Sequence, residues 1–219
     1  MIRCLASLCC ALTALVTAGP AAACAIGDYA YAGVEAKSGA HGVAATISTA
    51  SAPRVEAGHV AGWVGVGGYG FGPRGTDAWL QVGLAAFEDL ETKLYYEVTQ
   101  PGFSPTYYQL AAVVPGERHR VAVLETSKRS WWRVWVDGRA ATDPIFLAGS
   151  HGAWEPTVTG ESWDGGTSAC NSFNYRFERV AIATRPGGGW RKLSSFRVLQ
   201  DKGMRLTRSA AGFLATTKT

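Results

Sequence analysis

The sequence contains few residues suited to a metal centre, a redox centre or a covalent nucleophile. Its 219 residues include five cysteines and four histidines, and the histidines are far apart along the chain, without the spacing of zinc ligands. A nucleophile elbow of the form Gly-x-Ser-x-Gly is absent. The glycine-rich run at 65–70 also lacks the strand-to-helix setting of a nucleotide-binding loop. We therefore predict no metal and no cofactor.

The sequence also lacks the strong positive charge of a nucleic-acid-binding protein. The formal net charge at pH 7 is +4, from 21 basic and 17 acidic residues. The densest basic stretches are Arg118-His119-Arg120, Lys128-Arg129 with Arg133, and Arg191-Lys192. Each lies at an expected strand end or on an exposed face, so we interpret them as solvated surface charge. The composition predicts no nucleic-acid partner.

Long hydrophobic segments are absent beyond the amino terminus. The one apolar run, at 4–16, follows Arg3 and falls short of the ~20 residues that a membrane-spanning helix needs. Behind it, Gly19-Pro20 leads to Ala21-Ala22-Ala23, a small-residue pattern typical of signal-peptide cleavage. We therefore interpret residues 1–23 as a secretory signal peptide.

After cleavage, residues 24–219 remain, which is enough for one β-sandwich domain to bury a full core. We expect a secreted monomer, outside the cell or in a periplasm, without membrane contact. Two cysteines remain, Cys24 and Cys170, and they form a disulfide in an oxidising compartment if cleavage follows Ala23. Cleavage after Ala25 would instead remove Cys24, and the sequence leaves both outcomes open.

From Val43 onward the chain alternates between short runs rich in Val, Ile, Thr, Tyr and Trp and turns rich in Gly, Pro, Asp and Ser. The expected strands are Gly42-Ala50, Val60-Gly67, Ala78-Ala85, Lys93-Thr99, Tyr107-Val114, Arg118-Thr126, Trp131-Val136, Ile145-Ala148, Phe173-Thr184 and Leu193-Gln200. No convincing helix pattern is present. Many short strands with regular turns predict an all-β, antiparallel sandwich or barrel.

Three of these strands carry a polar or aromatic side chain opposite an aliphatic face. Because strand side chains alternate, Gln81 points away from its apolar neighbours Leu80 and Val82. Trp63 and Glu97 stand in the same relation to their own strands. In a shared sheet, the three side chains line one surface, with nearby glycines leaving room for an extended ligand. The alternative is an ordinary solvent-facing side of the sheet.

The order of these motifs resembles that of the glutamic peptidases, also called eqolisins. The segment Trp63-Val64-Gly65-Val66-Gly67-Gly68 is similar to the family's Trp-Val-Gly-Ile-Asp-Gly, with Gly67 in place of Asp. Leu80-Gln81-Val82-Gly83 resembles Leu-Gln-Thr-Gly, and Tyr95-Tyr96-Glu97-Val98 resembles Trp-Tyr-Glu-Trp. With similar stretches at 121–128 and 173–180, the resemblance covers nearly the whole mature chain. It implies a concanavalin-like sandwich of two curved antiparallel sheets.

The resemblance also implies an acid-acting endopeptidase that hydrolyses protein or peptide substrates with a Gln and a Glu. Gln81 matches the catalytic Gln, whose amide stabilises the oxyanion. Glu155 and Glu161 compete for the role of the Glu that activates water. Spacing to the following strand favours Glu161, and Pro156 removes a strand hydrogen-bond donor directly after Glu155.

In the same interpretation, Trp63 and Glu97 bind substrate and support the site.

Two other hypotheses about the function stay open on the sequence alone. Trp131, Trp132 and Trp135 on one strand are compatible with a secreted carbohydrate-binding or adhesion sandwich, because indole rings stack on sugars. Glu97 and Glu161 are also compatible with the paired carboxylates of a glycosidase.

Overall fold

The computed structural model describes residues 27–88, 90–164 and 170–218. The predicted signal peptide and Cys24 lie outside these residues. Within them, strands dominate, and one short 3-10 turn occupies Pro73–Gly75. No helix in the described part of the chain has the length and apolar character to cross a membrane.

The described strands follow one another through the whole length of the chain. In chain order they are Tyr29–Ala36 (β1), Gly42–Thr49 (β2), Arg54–Val55 (β3), His59–Gly68 (β4), Ala78–Phe87 (β5), Lys93–Thr99 (β6), Thr106–Ala112 (β7), His119–Glu125 (β8), Trp131–Val136 (β9), Arg139–Ala140 (β10), Ile145–Phe146 (β11), Pro156–Trp163 (β12), Asn171–Ser172 (β13), Asn174–Arg185 (β14), Gly188–Lys192 (β15), Phe196–Gln200 (β16), Met204–Arg208 (β17) and Gly212–Thr217 (β18).

These strands form two large antiparallel sheets. The first has seven strands in the order β16-β1-β12-β4-β5-β6-β7. The second has nine, with the main order β10-β9-β8-β2-β14-β18-β17, while β11 pairs with β9 and β15 with β14. Strands β3 and β13 form a separate two-stranded ribbon. The predicted all-β antiparallel β-sandwich is confirmed.

The core lies between the aliphatic faces of the two large sheets. Leu80, Val82 and Leu84 of β5 are fully buried in one cluster with Ile47 of β2 and Val123 of β8. Burying such a side chain contributes about 1.5–3 kcal/mol each. Because alternate residues of β5 fill this core, the residues between them, Gln81 included, point to the other face of the first sheet.

The sequence patterns did not predict β1, β12, β15, β17 or β18, nor the two-residue strands β3, β10 and β13. Strand β12 is buried along nearly its whole length, but Val158 is its only branched aliphatic residue, so it lacks the apolar run by which the other strands are predicted. It begins at Pro156, which lacks an N–H and is tolerated as the first residue of a strand. This matters for the site, because β12 is the strand that carries Glu161.

Candidate active site

The outer face of the seven-stranded sheet presents a row of side chains across its central strands. From β1 to β6 the row runs Glu35, Thr157, Gly65, Gln81 and Glu97, each residue paired in register with the next. Directly opposite residues in an antiparallel pair have Cβ atoms about 4.5–5.5 Å apart. Gln81 and Glu97 are therefore immediate neighbours, and the sheet assembles two of the four predicted site residues.

Gly65 makes room for Gln81 in this row. A Cβ atom at Gly65 would lie 2.9 Å from the Cβ of Gln81 and 2.9 Å from the carbonyl oxygen of Leu80. Both distances are shorter than real Cβ contacts allow. The glycine is thus needed for the side chain of Gln81 to lie over β4 as it does.

Glu161 and Trp63 lie beside the row, on two of the strands that carry it, β12 and β4. Glu161 on β12 pairs with Ala61 on β4, and Trp63 lies between Ala61 and Gly65 on the same face. Together with Gln81 and Glu97 they line one groove of about 370 Å³. The four residues that sequence patterns and family resemblance singled out therefore share one groove.

The amide of Gln81 is held by a neighbouring phenol. Its Nε2 donates a hydrogen bond of 3.0 Å to the hydroxyl oxygen of Tyr95, and Gln81 is only 9% exposed. Burial raises the pKa of Tyr95 well above its usual value, and the charge of Glu161 raises it further. Tyr95 therefore remains a neutral phenol that accepts this hydrogen bond at every pH in the working range of a hydrolase.

Glu161 is 5% exposed and has one polar side-chain neighbour among the described residues. Nε2 of His59 lies 3.4 Å from its Oε1. The imidazole of His59 is itself enclosed by the rings of Tyr29, Phe87 and Trp163. A carboxylate with one side-chain hydrogen-bond partner has lone pairs left to accept a hydrogen bond from a water molecule, which a general base must do.

Glu97 is the second carboxylate of the groove. The indole N–H of Trp79 donates to its Oε1 at 2.8 Å. Burial raises the pKa of Glu97, the Trp79 hydrogen bond opposes this, and the charge of Glu161 adds to the increase. The negative charge of Glu161 thus opposes the ionisation of Glu97 in the same groove.

Trp63 contributes the aromatic wall of the groove. It packs against the small cluster of Ala61, Ala85 and Tyr95. Its indole Nε1 is buried and has no acceptor among the described residues. An unsatisfied buried donor costs about 1–3 kcal/mol, so an acceptor from a bound ligand would stabilise this side of the groove.

Gly67 stands where the eqolisin segment has Asp, and the backbone explains the difference. Its φ is +86°, and a Cβ atom there would lie 2.3 Å from the carbonyl oxygen of Ala78 and 2.8 Å from the ring of Trp154. A side chain at this position would require the backbone to change. The acidic groups that line the groove are instead Glu35, Glu97 and Glu161.

Glu155, the competing candidate for the catalytic Glu, lies outside the groove lining. Its Oε2 is 3.6 Å from Nη2 of Arg197, which also pairs with Glu35. Glu155 is thus engaged at the edge of the sheet beside β16, next to the first residue of β12. Glu161, six positions further on, is the one that faces Trp63 and Gln81 across the groove.

The tryptophans behind the carbohydrate-binding hypothesis do not form an open platform. Trp132 is fully buried, and its Nε1 donates to Oγ of Ser150 at 2.7 Å. Trp131 packs against Phe146, and Nζ of Lys128 lies 4.0 Å from its ring centroid. Two of the three indoles are therefore occupied by contacts within the chain.

Two histidines that are far apart in the sequence meet at one carboxylate, a proximity that their spacing along the chain does not indicate. Nδ1 of His41 lies 2.6 Å from Oε2 of Glu125, and Nδ1 of His151 lies 2.8 Å from its Oε1. The backbone N–H of Ser130 also donates to Oε1, at 2.5 Å. Burial acts to raise the pKa of Glu125, but these hydrogen bonds outweigh it and hold the pKa below its usual value.

Imidazole nitrogens and a carboxylate oxygen are ligands that zinc accepts, and these three groups lie within 4.8 Å of one another. The cluster is therefore the candidate metal centre of the described residues. In the observed arrangement both Nδ1 atoms already bond Glu125. A metal would have to replace those hydrogen bonds, and the cluster shares no residue with the groove.

Cys170 is buried and disulfide-bonded. Its predicted partner, Cys24, lies outside the described residues, so the pairing of these two cysteines stays a prediction.

The two-sheet architecture is similar to that of solved glutamic peptidases. Scytalido-glutamic peptidase bound to a peptide-based transition-state analog superposes with a TM-score of 0.59 and 15% sequence identity, covering 88% of this chain and 99% of that one. SCP-B, a member of the eqolisin family in complex with the tripeptide Ala-Ile-His, superposes with a TM-score of 0.56, the same identity and the same coverage. The predicted eqolisin resemblance is confirmed at the level of the fold.

Comparisons at the level of sequence give no such likeness. No protein-family model matches the chain, and no curated protein matches it.

Proposed function

We propose that the protein is a secreted glutamic-type endopeptidase, active in acid, in which Gln81 and Glu161 form the catalytic pair. The observation that carries the proposal is the combination of a buried carboxylate and a fixed amide in one groove of an eqolisin fold. The two similar structures are complexes, one with a peptide-based transition-state analog and one with a tripeptide. We infer that the ligand of this groove is likewise a peptide.

In the proposed reaction Glu161 acts first as a base. Its carboxylate takes a proton from a water molecule, and the water oxygen forms a bond to the carbonyl carbon of the scissile peptide. The carbonyl oxygen becomes an oxyanion, which an N–H of Gln81 stabilises by a hydrogen bond. No covalent intermediate with the enzyme forms.

In the second step Glu161 acts as an acid. It returns the proton to the amide nitrogen as the carbon–nitrogen bond breaks, and the products are a carboxylic acid and an amine. The carboxyl group is thereby restored to its ionised state for the next cycle. A single carboxyl group performs both proton transfers, so it needs a hydrogen-bond partner in its ionised and in its protonated state. His59, whose Nε2 lies 3.4 Å from Oε1 of Glu161, is such a partner.

Gln81 is suited to the oxyanion role because one of its two N–H groups is already fixed. The bond to Tyr95 sets the plane of the amide, and the second N–H makes no bond with the described residues. A donor that is oriented before the substrate binds loses little entropy in the transition state.

Trp63 and Glu97 act as supporting groups in the proposal. Trp63 supplies an aromatic wall and a buried N–H without an acceptor. Glu97 lies directly beside Gln81 in register. Its raised pKa favours the protonated form, which carries no charge that would oppose the developing oxyanion.

The test is hydrolysis of a denatured protein by the purified mature chain from pH 2 to pH 7. Glu161→Gln should abolish cleavage, while Glu155→Gln, the matched control in the same segment, should retain it. Circular dichroism and thermal unfolding establish that each variant is folded. Failure of the unaltered chain to cleave, or equal activity in the Glu161→Gln variant, would exclude the proposed function.

A further inference from the structure

A second cleft, of about 590 Å³, lies between the two large sheets and shares no lining residue with the groove. Val34 of β1 and Phe196 of β16 line it from the first sheet, and Val180 of β14 and Phe213 of β18 from the second. Its volume falls in the range of small-molecule sites. These apolar residues give the cleft a hydrophobic floor.

The rim of this cleft carries positive charge only. Its charged lining residues are Arg120, Arg179, Arg191, Lys192 and Arg208. No Asp or Glu lines it, and none of the five cations forms an ion pair with a carboxylate of the described residues. A concave surface with one sign of charge over an apolar floor attracts and concentrates small anions.

Arg120 and Arg179 are brought together although their charges repel. Nη1 of Arg120 donates to the carbonyl oxygen of Arg179 at 2.8 Å, and Nη2 of Arg179 donates to Oγ1 of Thr46 at 3.0 Å. Burial lowers the pKa of Arg120, and the nearby charge of Arg179 lowers it further. An anion between these guanidinium groups would relieve both costs.

The backbone at Arg179 departs from regular strand geometry. The pairing of β14 with β2 is interrupted between Glu178 and Ala181, and Arg179 within the interruption has a φ of +51°. Such bulges re-aim a side chain and are frequent beside binding sites. Here the bulge turns Arg179 into the cleft that Arg120 also lines.

Aromatic rings complete the lining. Trp190 is 42% exposed, which leaves its indole available for stacking. The guanidinium carbon of Arg208 lies 4.9 Å from the ring centroid of Phe196, so a cation is held over an aromatic face. Aromatic rings and guanidinium groups thus line the same cleft.

We propose that this cleft binds a small organic anion, in which a phosphate, sulfate or carboxylate group is carried on an apolar ring. The anionic group pairs with Arg120 and Arg179, and the ring packs on Trp190 and the apolar floor. Arginine's planar fork matches all three oxyanions. The site is independent of the proposed peptidase activity.

This assignment changes the interpretation of two basic stretches that the sequence presents as solvated charge. Arg120 belongs to the first stretch, and Arg191 and Lys192 to the last, about 70 residues later along the chain. The antiparallel sheets bring them to one cleft. Because these three residues line one cleft, they form a binding site rather than dispersed surface charge.

The experiment is calorimetric titration of the mature chain with 1-naphthyl phosphate at low and at high salt. Inorganic phosphate and 1-naphthol, the two halves of the probe, are titrated in parallel. We expect one molecule of 1-naphthyl phosphate to bind per chain, with binding weakened by salt and each half binding about tenfold or more weakly. Absence of binding, or equal affinity for inorganic phosphate alone, would overturn the proposal.

Variants then locate the bound probe. Arg120→Gln combined with Arg179→Gln, shown to be folded by circular dichroism, should raise Kd about tenfold or more, because these two guanidinium groups pair with the anionic group of the probe. Arg205→Gln is the matched control, since Arg205 is an exposed cation of β17 that does not line the cleft. Equal affinity in the double variant and the control would place the probe elsewhere and refute the assignment.

Discussion

The amide of Gln81 and the hydroxyl of Tyr95 form a hydrogen bond of 3.0 Å that crosses diagonally between neighbouring strands. In register, Gln81 faces Glu97 and Tyr95 faces Gly83. Because Gly83 has no side chain, the phenol of Tyr95 reaches towards Gln81. A buried neutral phenol thus orients the amide that we assign to oxyanion stabilisation.

Tyr95→Phe tests this orientation with little change in volume. Loss of the hydroxyl leaves Nε2 of Gln81 without its acceptor, so the amide is free to rotate. We expect kcat for peptide hydrolysis to fall about tenfold, with KM nearly unchanged and stability reduced by about 1–3 kcal/mol. An unaltered kcat in the folded variant would show that the bond has no role in positioning.

Glu97→Gln tests the electrostatics of the groove through stability. Burial raises the pKa of Glu97 in the folded protein above its unfolded value. The group therefore contributes stability that is fully present below the unfolded pKa and is lost as pH rises through the folded pKa. Thermal unfolding at a series of pH values should show the variant gaining stability over the unaltered chain as pH rises.

The amide in this variant keeps an oxygen to accept from Nε1 of Trp79, so the hydrogen bond of Glu97 is preserved. A variant that loses stability equally at all pH values would contradict the raised pKa.

Glu125→Gln tests a carboxyl group whose pKa is lowered rather than raised, in the cluster with His41 and His151. The pKa of Glu125 is held below its usual value, so its contribution is present above the unfolded pKa and is lost as pH falls through the folded pKa. Removing the buried negative charge from two imidazoles should lower the free energy of unfolding at pH 7 by about 1–3 kcal/mol. Denaturant titrations at pH 7 and at about pH 3 should show the deficit shrinking in acid.

The same preparation tests the candidate metal centre. If His41, Glu125 and His151 bind zinc, added zinc raises the midpoint of thermal unfolding of the unaltered chain and leaves the variant unchanged. Equal shifts in both proteins would exclude this cluster as the ligand set.

Gly67→Ala tests whether the backbone geometry excludes a side chain at the position where the eqolisin segment has Asp. With φ at +86° and a carbonyl oxygen 2.3 Å from the added Cβ, the substitution should cost about 1–3 kcal/mol or more. Gly68→Ala is the control, because a Cβ there meets only the ring of Phe71 at 3.5 Å. Equal stability of the two variants by denaturant unfolding would refute the steric explanation.

Alternation along β4, β5 and β6 was sufficient to predict which side chains share the outer face of the first sheet. That rule places Trp63, Gln81 and Glu97 correctly because each of these strands buries one aliphatic face. It did not reveal β12, which is buried on both faces. Spacing and the position of Pro156 were needed to favour Glu161.

The sequence patterns did not predict contacts between segments that are distant along the chain. His59 shares its face with Trp63, at a spacing that strand alternation reveals, yet its approach to Glu161 depends on the pairing of β4 with β12. His41 meets Glu125 because β2 pairs with β8, and His151 reaches the same carboxylate from the segment between β11 and β12. Topology, rather than local pattern, creates both clusters.

The central claim is that Gln81 and Glu161 act as one catalytic unit, and a double-mutant cycle tests it most directly. We would measure kcat/KM on one peptide substrate for the unaltered chain, Gln81→Ala, Glu161→Gln and the double variant, each shown to be folded. Each single variant should lose about 10²–10³-fold or more, and the double variant should be no slower than the slower single variant. Losses that multiply in the double variant, or a single variant that retains most of the activity, would contradict the account.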